Sequence, residues 1–146
     1  MDFELDPNHL LIQQSIREFA AAEVAPHAAR WDVEEEFPAE IIPKLASLGL
    51  MGMRVPETYG GAGLDVLAAA IAVEELARAD GAVALTVSSH NGLCTAHILL
   101  AGNEAQKKKY LPRLACGEWL GAWALTEPGS GSDASAARTT AVRGAE

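Results

Sequence analysis

Positive charge is scarce in this sequence of 146 residues, in which 11 Lys and Arg oppose 20 Asp and Glu for a formal net charge of −9. A strongly acidic chain repels the phosphate backbone of a nucleic acid, so this function class is disfavoured. The basic cluster at residues 107–109 lies within a helical pattern and is typical of a solvent-exposed helix face. We therefore expect no nucleic-acid partner.

Cysteine is also scarce, since the sequence has only two, Cys94 and Cys116, and they form no Cys-x-x-Cys pair. This spacing excludes a disulfide framework and favours a reducing compartment. The acidic N-terminus, MDFELDPNHL, matches neither a signal peptide nor an arginine-rich transit peptide. Together these features predict a cytoplasmic protein.

No hydrophobic run is long enough to predict a membrane span. The most apolar segment, residues 82–101, is interrupted by two serines, two histidines and an asparagine, which indicates a buried helix instead. Aromatic residues make up 5% of the chain, whereas 49% of it is apolar. The core must therefore consist mainly of Leu, Ile, Val and Ala.

What the sequence does contain is helical periodicity, in five segments before residue 118. The first opens with an Asp-Pro pair at residues 6–7, an N-cap acid before Pro at the first helical position. Pro26 should end or kink that helix. The second starts near Pro38, should bend at Pro43 and is capped by Gly49.

The other three helices follow a loop rich in glycine. The third spans residues 65–79 and the fourth is the buried helix over residues 82–101. The fifth opens with a capping box, in which Asn103 and Gln106 each accept from the other's backbone amide, and it ends at Gly117.

The hydrophobic period changes to two residues after Glu118. The segment EWLGAWAL, residues 118–125, is typical of a β-strand, and residues 137–143 predict a second, weaker strand. Two strands are not stable in water on their own, so they need partners from further chain or cover from the helical domain. We predict a mainly α fold, with a helical domain over residues 1–118 and the first strands of a β-domain over residues 119–146.

The loop between these strands, WALTEPGSGSD, is rich in glycine and serine. Its glycines allow backbone amides to approach a ligand closely, and successive free amides form a concavity that suits anions. Thr126, Ser130 and Ser132 add hydroxyl donors. From the residue chemistry alone, a ligand-binding loop and a plain surface turn remain equally open.

Two common nucleotide motifs do not fit this loop. Ala134 stands where a Gly-x-Gly-x-x-Gly fingerprint requires its third glycine. No Gly-Lys-Ser/Thr follows either, which excludes a P-loop.

Three weaker patterns have an ordinary structural interpretation. His90, Cys94 and His97 share a helix face with a spacing that suits zinc, but no fourth ligand accompanies them, so we predict packed core side chains and no metal site. The segment YGGAG, residues 59–63, suits either a phosphate loop or, as we prefer, a connection between helices.

A third pattern is a group of charges on the third helix. Glu74, Glu75 and Arg78 are spaced as an ion-pair network on a helix surface.

The loop ALTEPGSGSD resembles the flavin-binding signature of the acyl-CoA dehydrogenase family. Further segments resemble family segments in the same order, namely FAAAEVAPHA, LGLMGMRVPETYGGAGLD, SSHNGL and the long block over residues 101–141. The likeness covers nearly the whole chain. SSHNGL and GSDASAARTTA are similar to the short-chain, butyryl-type branch.

The resemblance implies a function and a set of site residues. Family members bind FAD and oxidise an acyl-CoA thioester to the trans-2-enoyl-CoA, and they combine an N-terminal helical domain, a middle β-domain and a C-terminal helical domain. By resemblance, the cofactor is lined by Trp123, Ala124, Leu125, Thr126, Gly131 and Ser132.

Individual roles follow from the same resemblance. Leu125 would face the flavin through its backbone, and Thr126 would hydrogen-bond the isoalloxazine near its reactive nitrogen. Gly131 and Ser132 would lie by the pyrophosphate, and Ser132 would also touch the acyl-CoA. Electrons would pass to an electron-transfer flavoprotein, and the assembly would be a homotetramer.

The catalytic Glu of the family lies in segments beyond residue 146, so no catalytic residue is assigned in this sequence. Glu127 precedes Pro128 in the loop, and we interpret it as a residue for capping or local hydrogen bonding. We expect a truncated chain that is inactive by itself. The alternatives are an acyl-CoA oxidase or flavin monooxygenase relative on the same fold, and a non-catalytic helical interaction module.

Overall fold

The computed structural model describes residues 4–142 and 144. Seven α-helices lie in this part of the chain: α1 Pro7–Phe19, α2 Ala25–Val33, α3 Ile41–Ser47, α4 Val66–Ala79, α5 Gly81–Ser89, α6 Ala96–Ala101 and α7 Glu104–Ala115. Two π-helical segments make longer continuous helices, Ala20–Val24 between α1 and α2, and His90–Thr95 between α5 and α6. Short 3₁₀ turns occur at Glu57–Tyr59 and Ala134–Ala136.

The helices enclose one main apolar core. Helix α4 packs against both α1 and α5, and the core is aliphatic, as the shortage of aromatic residues predicted, apart from Trp31 and the thioether side chains of Met51 and Met53. Its side chains include Ile16, Val24, Ile41, Leu45, Leu50, Met51, Leu76 and Val87. A smaller cluster of Val55, Leu111 and Ala115 packs the inside of α7 against the loop after α3.

No helix among residues 4–142 is both long enough and apolar enough to cross a membrane.

The helix starts predicted from capping residues are confirmed. The Asp6 carboxylate accepts from the amides of Asn8 and His9 at 2.8 and 2.9 Å. At α7, the amide of Gln106 donates to Asn103 Oδ1 at 2.9 Å, and the amide of Asn103 donates to Gln106 Oε1 at 2.8 Å. Both caps satisfy amides that have no acceptor within their own helix.

The predicted end of the second helix is also confirmed. Gly49 has φ +75°, its amide donates to Ala46 O at 2.9 Å, and the next amide, of Leu50, donates to Leu45 O at 3.0 Å. This is a Schellman motif, in which a left-handed residue ends the helix and satisfies its last carbonyls.

The expected effects of two prolines differ from the structure. The helix does not end at Pro26, because the π-helical segment precedes it and the Ala25 amide bonds to Ala20 O, five residues back. The second helix begins at Ile41, so Pro43 lies in its first turn, where an amide has no intrahelical acceptor to lose.

The two segments predicted as strands form no strand ladder within the described residues. Residues 120–126 and 137–142 are irregular, and the pairing present there is an isolated antiparallel bridge between Glu127 and Ser130. Arg143, the last residue of the second predicted strand, lies outside the described residues. A strand needs a neighbouring strand to satisfy its amides and carbonyls, and no described segment supplies one. The mainly helical fold class is confirmed.

Candidate functional site

The segment that leads into the predicted loop, which we call the approach, begins where α7 ends and runs over residues 117–123. Gly117, with φ +73°, turns the chain beneath α3, where a Cβ would lie 2.8 Å from the Cβ of Ala46. The amide of Trp119 then donates to Arg113 O at 3.1 Å, and the Arg113 guanidinium lies 4.6 Å from the centre of the Trp119 ring. The chain therefore leaves the helical domain in a fixed direction.

His90 holds the next part of this approach. Its side chain is buried, and its Nε2 lies 2.8 Å from Met51 O and 3.2 Å from Leu114 O. Since carbonyl oxygens only accept, Nε2 carries the proton, and Nδ1 is the free acceptor for the amide of Gly121 at 2.8 Å. Burial lowers the pKa of His90, which keeps this tautomer neutral.

Cys94 and His97 contact the residues next to Gly121. Burial raises the pKa of the Cys94 thiol, and the amide of Ala122, which hydrogen-bonds the sulfur, offsets part of this rise. The His97 ring stacks on Trp123, with the ring centres 4.2 Å apart. His90, Cys94 and His97 thus contact residues 121–123. No group of three potential metal ligands occurs within the described part of the chain.

A tight turn follows the residues predicted to bind the flavin ring. The amide of Glu127 donates to Ser130 O at 2.8 Å, and the amide of Ser130 donates to Glu127 O at 3.1 Å. The buried Ser130 hydroxyl donates to Asp133 O at 2.8 Å. The turn reverses the chain, so Thr126 on one side and Gly131 on the other flank the same bend.

Glu127 makes the local hydrogen bonds expected of it. Its carboxylate accepts from the amides of Arg138 and Thr139 at 2.8 and 2.9 Å. These bonds, that of Arg138 above all, lower the pKa of Glu127. Through these two hydrogen bonds, the Glu127 side chain joins the two ends of the loop formed by residues 127–139.

Within this loop, several backbone donors are free to meet a ligand. The amides of Gly129, Gly131, Ser132 and Asp133 donate to no atom of the described residues. The space where a Cβ of Gly129 or Gly131 would stand is empty to 4 Å. Trp123 and Leu125 are 42% and 43% exposed, and Ala124, Thr126 and Ser132 are exposed as well. All six predicted cofactor residues therefore lie at the surface around one turn.

The other glycine-rich segment, residues 59–63, has no such free donors. Each amide from residue 60 to residue 63 donates to a nearby carbonyl, at distances of 2.8–3.2 Å, the acceptors being Glu57, Pro56, Gly52 and Val55. A Cβ on Gly61 would meet the carbonyl of Val55 at 2.1 Å, so this glycine allows two segments to pack closely. The geometry therefore favours the interpretation as a connection between helices and disfavours a phosphate-binding loop.

The sequence interpretation of the charges on α4 was wrong in one respect. Arg78 pairs with Glu74 at 3.3 Å on the surface, but Glu75 is 1% exposed and binds Arg17 of α1. The signal was present, because Glu75 continues the spacing of the buried apolar residues of α4, which are Ala68, Ile71, Ala72 and Leu76.

Asn91 is a structural residue that the sequence reasoning missed. Its side-chain amide donates to Leu50 O at 2.8 Å and to Val87 O at 2.9 Å, and its Oδ1 accepts from the amide of Met53 at 3.1 Å. It therefore fixes the loop after α3 against the helix that carries His90.

Comparison with known proteins shows which family this chain belongs to. Residues 6–118 match the family model described as acyl-CoA dehydrogenase, N-terminal domain. The chain belongs to the acyl-CoA dehydrogenase family. An acyl-CoA dehydrogenase of Bacillus subtilis (strain 168) is 48% identical over 134 residues, which are 92% of this chain and 35% of that protein.

Solved structures of the family have the same fold. Butyryl-CoA dehydrogenase from Megasphaera elsdenii is 41% identical with a TM-score of 0.88, covering 95% of this chain and 37% of that one. An acyl-CoA dehydrogenase from Bacillus anthracis, solved in complex with FAD, is 44% identical with a TM-score of 0.85, covering 92% of this chain and 23% of that one. The chain thus spans well under half the length of these acyl-CoA dehydrogenases.

Proposed function

We propose that the whole protein is an FAD-dependent acyl-CoA dehydrogenase that converts an acyl-CoA thioester to the trans-2-enoyl-CoA. Residues 1–118 are its N-terminal helical domain, and residues 119–146 begin its β-domain. The observation that carries the proposal is the exposed turn at residues 123–132, where free amides and hydroxyls gather in a chain of this family.

The chemistry of this turn fits FAD. The free amides of Gly131 and Ser132 suit the anionic pyrophosphate, because successive unpaired amides bind anions. The Thr126 hydroxyl and the free amide of Leu125 offer donors to the polar edge of the isoalloxazine. The cofactor residues in this proposal are Trp123, Ala124, Leu125, Thr126, Gly131 and Ser132.

When bound, FAD supplies the acceptor for the hydride that leaves the substrate. The residues of this chain bind and orient the flavin, and Ser132 also contacts the acyl-CoA. No residue of the chain is assigned as the catalytic base. Glu127 is a poor candidate, because its carboxylate already accepts two backbone amides.

The proposed substrate is a short-chain acyl-CoA. Support comes from the likeness to the Megasphaera elsdenii butyryl-CoA dehydrogenase and from the segments SSHNGL and GSDASAARTTA. The proposal includes an electron-transfer flavoprotein as electron acceptor and a homotetrameric assembly, as the family resemblance implies.

The test is flavin binding and substrate-dependent flavin bleaching in the whole protein. We expect the purified protein to show a flavin absorbance band that butyryl-CoA bleaches. The double variant Thr126→Ala, Ser132→Ala should bind FAD about tenfold or more weakly, because it loses two hydrogen-bonding hydroxyls. Ser15→Ala, which removes an exposed hydroxyl from α1, is the matched control and should bind FAD normally.

Two results would contradict the proposal. A colourless protein that refuses added FAD would favour a non-catalytic helical module. Unchanged flavin content and unchanged bleaching in the double variant would show that the flavin lies elsewhere.

A further inference from the structure

His90, Cys94 and His97 contact the residues that lead directly into the proposed flavin turn. We propose that these three side chains form a positioning face, on which residues 121–123 dock, and that this docking sets where the flavin turn lies. The inference rests on the proposed function for the identity of the ligand, whereas the docking itself rests on the contacts alone.

The first contact of the positioning face is a directional hydrogen bond. His90 Nδ1 accepts from the amide of Gly121 at 2.8 Å, while Nε2 is held by Met51 O and Leu114 O. A ring fixed from both sides in a buried place leaves one position for the Gly121 amide. His90 therefore links the approach to the turn with the core of the helical domain.

The second contact is a steric match between Gly121 and Cys94. A Cβ built on Gly121 would lie 2.6 Å from Cys94 Sγ and 2.8 Å from Cys94 Cβ. The sulfur can swing aside, but the Cβ is fixed by the helix backbone. Only a glycine at position 121 allows this close an approach without a shift of the chain.

The third contact is the stacking of His97 on Trp123. The ring centres are 4.2 Å apart and the planes are inclined by 29°. Trp123 is itself one of the proposed cofactor residues. The positioning face therefore reaches the first residue of the flavin site.

Few other interactions hold this segment. Within residues 4–142, the amides of residues 123–126 have no hydrogen-bond acceptor, and the next hydrogen bonds along the chain are those of the turn at Glu127. The hydrogen bonds and the ring contact that place residues 121–126 against the helices thus all come from the positioning face, and they include the bond from the Ala122 amide to the Cys94 sulfur.

The decisive experiment adds a methyl group at position 121 and removes the side chain at position 94, singly and together, in the whole protein. Gly121→Ala should weaken FAD binding about tenfold, since the new Cβ forces the approach off the positioning face. Cys94→Gly removes the two atoms that would lie 2.6 and 2.8 Å from the new Cβ and leaves His90 Nδ1 at 3.3 Å, so the double variant Gly121→Ala, Cys94→Gly should recover most of the affinity that Gly121→Ala loses. Cys94→Gly alone is measured as the reference for any loss of helix stability.

A second, exposed position keeps the test independent of folding. His97→Ala removes the exposed stacking partner of Trp123. It should weaken FAD binding and shift the absorbance band of the bound flavin without changing the thermal midpoint of the apoprotein. His27→Ala, which removes an exposed ring from α2 that contacts Trp31, is the control for FAD binding alone and should leave the affinity unchanged.

Limited proteolysis of the apoprotein separates the two proposals. Gly121→Ala should be cleaved faster than wild type between residues 119 and 142, and the double variant should recover resistance. If this pattern appears in a protein that binds no FAD, the docking stands and the proposed function fails. If wild type binds FAD while Gly121→Ala binds it equally well, or the double variant recovers nothing, the positioning role is overturned.

Discussion

Arg17 of α1 binds the buried carboxylate of Glu75 in α4 through two hydrogen bonds. Arg17 Nε donates to Oε2 at 2.9 Å and a terminal nitrogen donates to Oε1 at 2.7 Å. The Glu75 side chain has no solvent exposure, whereas that of Arg17 is 55% exposed. Arg78 lies 3.7 Å from the same carboxylate. One buried acid therefore joins two helices of the core.

Replacing Arg17 alone should lower the stability of the fold more than replacing both Arg17 and Glu75. Arg17→Met leaves the Glu75 carboxylate buried with Arg78 as its remaining cation, so the midpoint of urea unfolding should fall. The double variant Arg17→Met, Glu75→Met buries no charge there and should recover part of the loss. An equally low midpoint in both variants would contradict this account.

The Arg17–Glu75 pair also predicts a pH dependence. The hydrogen bonds from Arg17 lower the pKa of Glu75 below its usual 4.5. A lowered pKa contributes stability above the unfolded-state value, and this contribution is lost as pH falls through the folded-state value. The advantage of wild type over the double methionine variant should therefore be full at neutral pH and shrink as the pH falls below 4.5 through the lowered folded-state pKa.

His9 predicts the opposite pH dependence. Its ring lies between two N-cap acids, with Nδ1 2.9 Å from Asp6 Oδ2 and Nε2 3.0 Å from Asp65 Oδ2. The hydrogen bond to Asp65 raises the pKa of His9 above 6.5. The stabilisation is then present below that value and is lost as pH rises through the folded-state pKa.

His9→Gln should accordingly lower the unfolding midpoint most at weakly acid pH and least at alkaline pH. A loss that is constant from about pH 5.5 to about pH 9 would show that His9 contributes packing rather than charge.

Two glycines should respond in opposite ways to a methyl group. Gly49→Ala forces a residue with a side chain to φ +75° and brings its Cβ within 3.2 Å of Ala62, so it should cost roughly 1–2 kcal/mol. Gly81→Ala adds a methyl in open space at the first residue of α5, and it should be neutral or stabilise by up to about 1 kcal/mol. Chemical denaturation of both variants tests the pair, and equal effects would refute it.

Glu127→Gln distinguishes an anchor from a catalytic base. The amide side chain still offers one oxygen to the amides of Arg138 and Thr139, so the loop should loosen but remain. In the whole protein, flavin bleaching by butyryl-CoA should fall by less than about tenfold, whereas loss of an essential base costs about 10² to 10⁴. Stopped-flow absorbance measures this, with Glu57→Gln, an exposed acid in the 3₁₀ turn at Glu57–Tyr59, as the control.

Local chemistry made several features predictable from the sequence. The caps at Asp6 and Asn103 and the end of α3 at Gly49 depend on side chains within a few residues of the amides or carbonyls that they satisfy. The helical state of residues 82–101 was predictable, since α5 to α6 span almost the same residues, but the prediction that this helix is buried was wrong. α6 has no buried residue, and Leu85, Leu93 and Leu100 are exposed.

Features set by distant partners were not predictable in this way. Residues 118–125 have the alternation of a strand, but alternation does not supply the neighbouring strand that a ladder needs. His90, Cys94 and His97 have the spacing of a metal site, yet the buried ring of His90 is occupied by backbone groups far along the chain. A pattern reports which side chains share a face and not what lies opposite.

The π-helical segment His90–Thr95 sets the rotational phase of the helix that follows it. A π-helical segment accommodates one residue more than the regular helix, so deletion of a single residue there would restore uninterrupted α-helix. If the same number of residues formed regular α-helix instead, the extra residue would turn α6 by about 100° and swing His97 away from Trp123. The wider turn absorbs that residue and keeps the two ends of the long helix aligned.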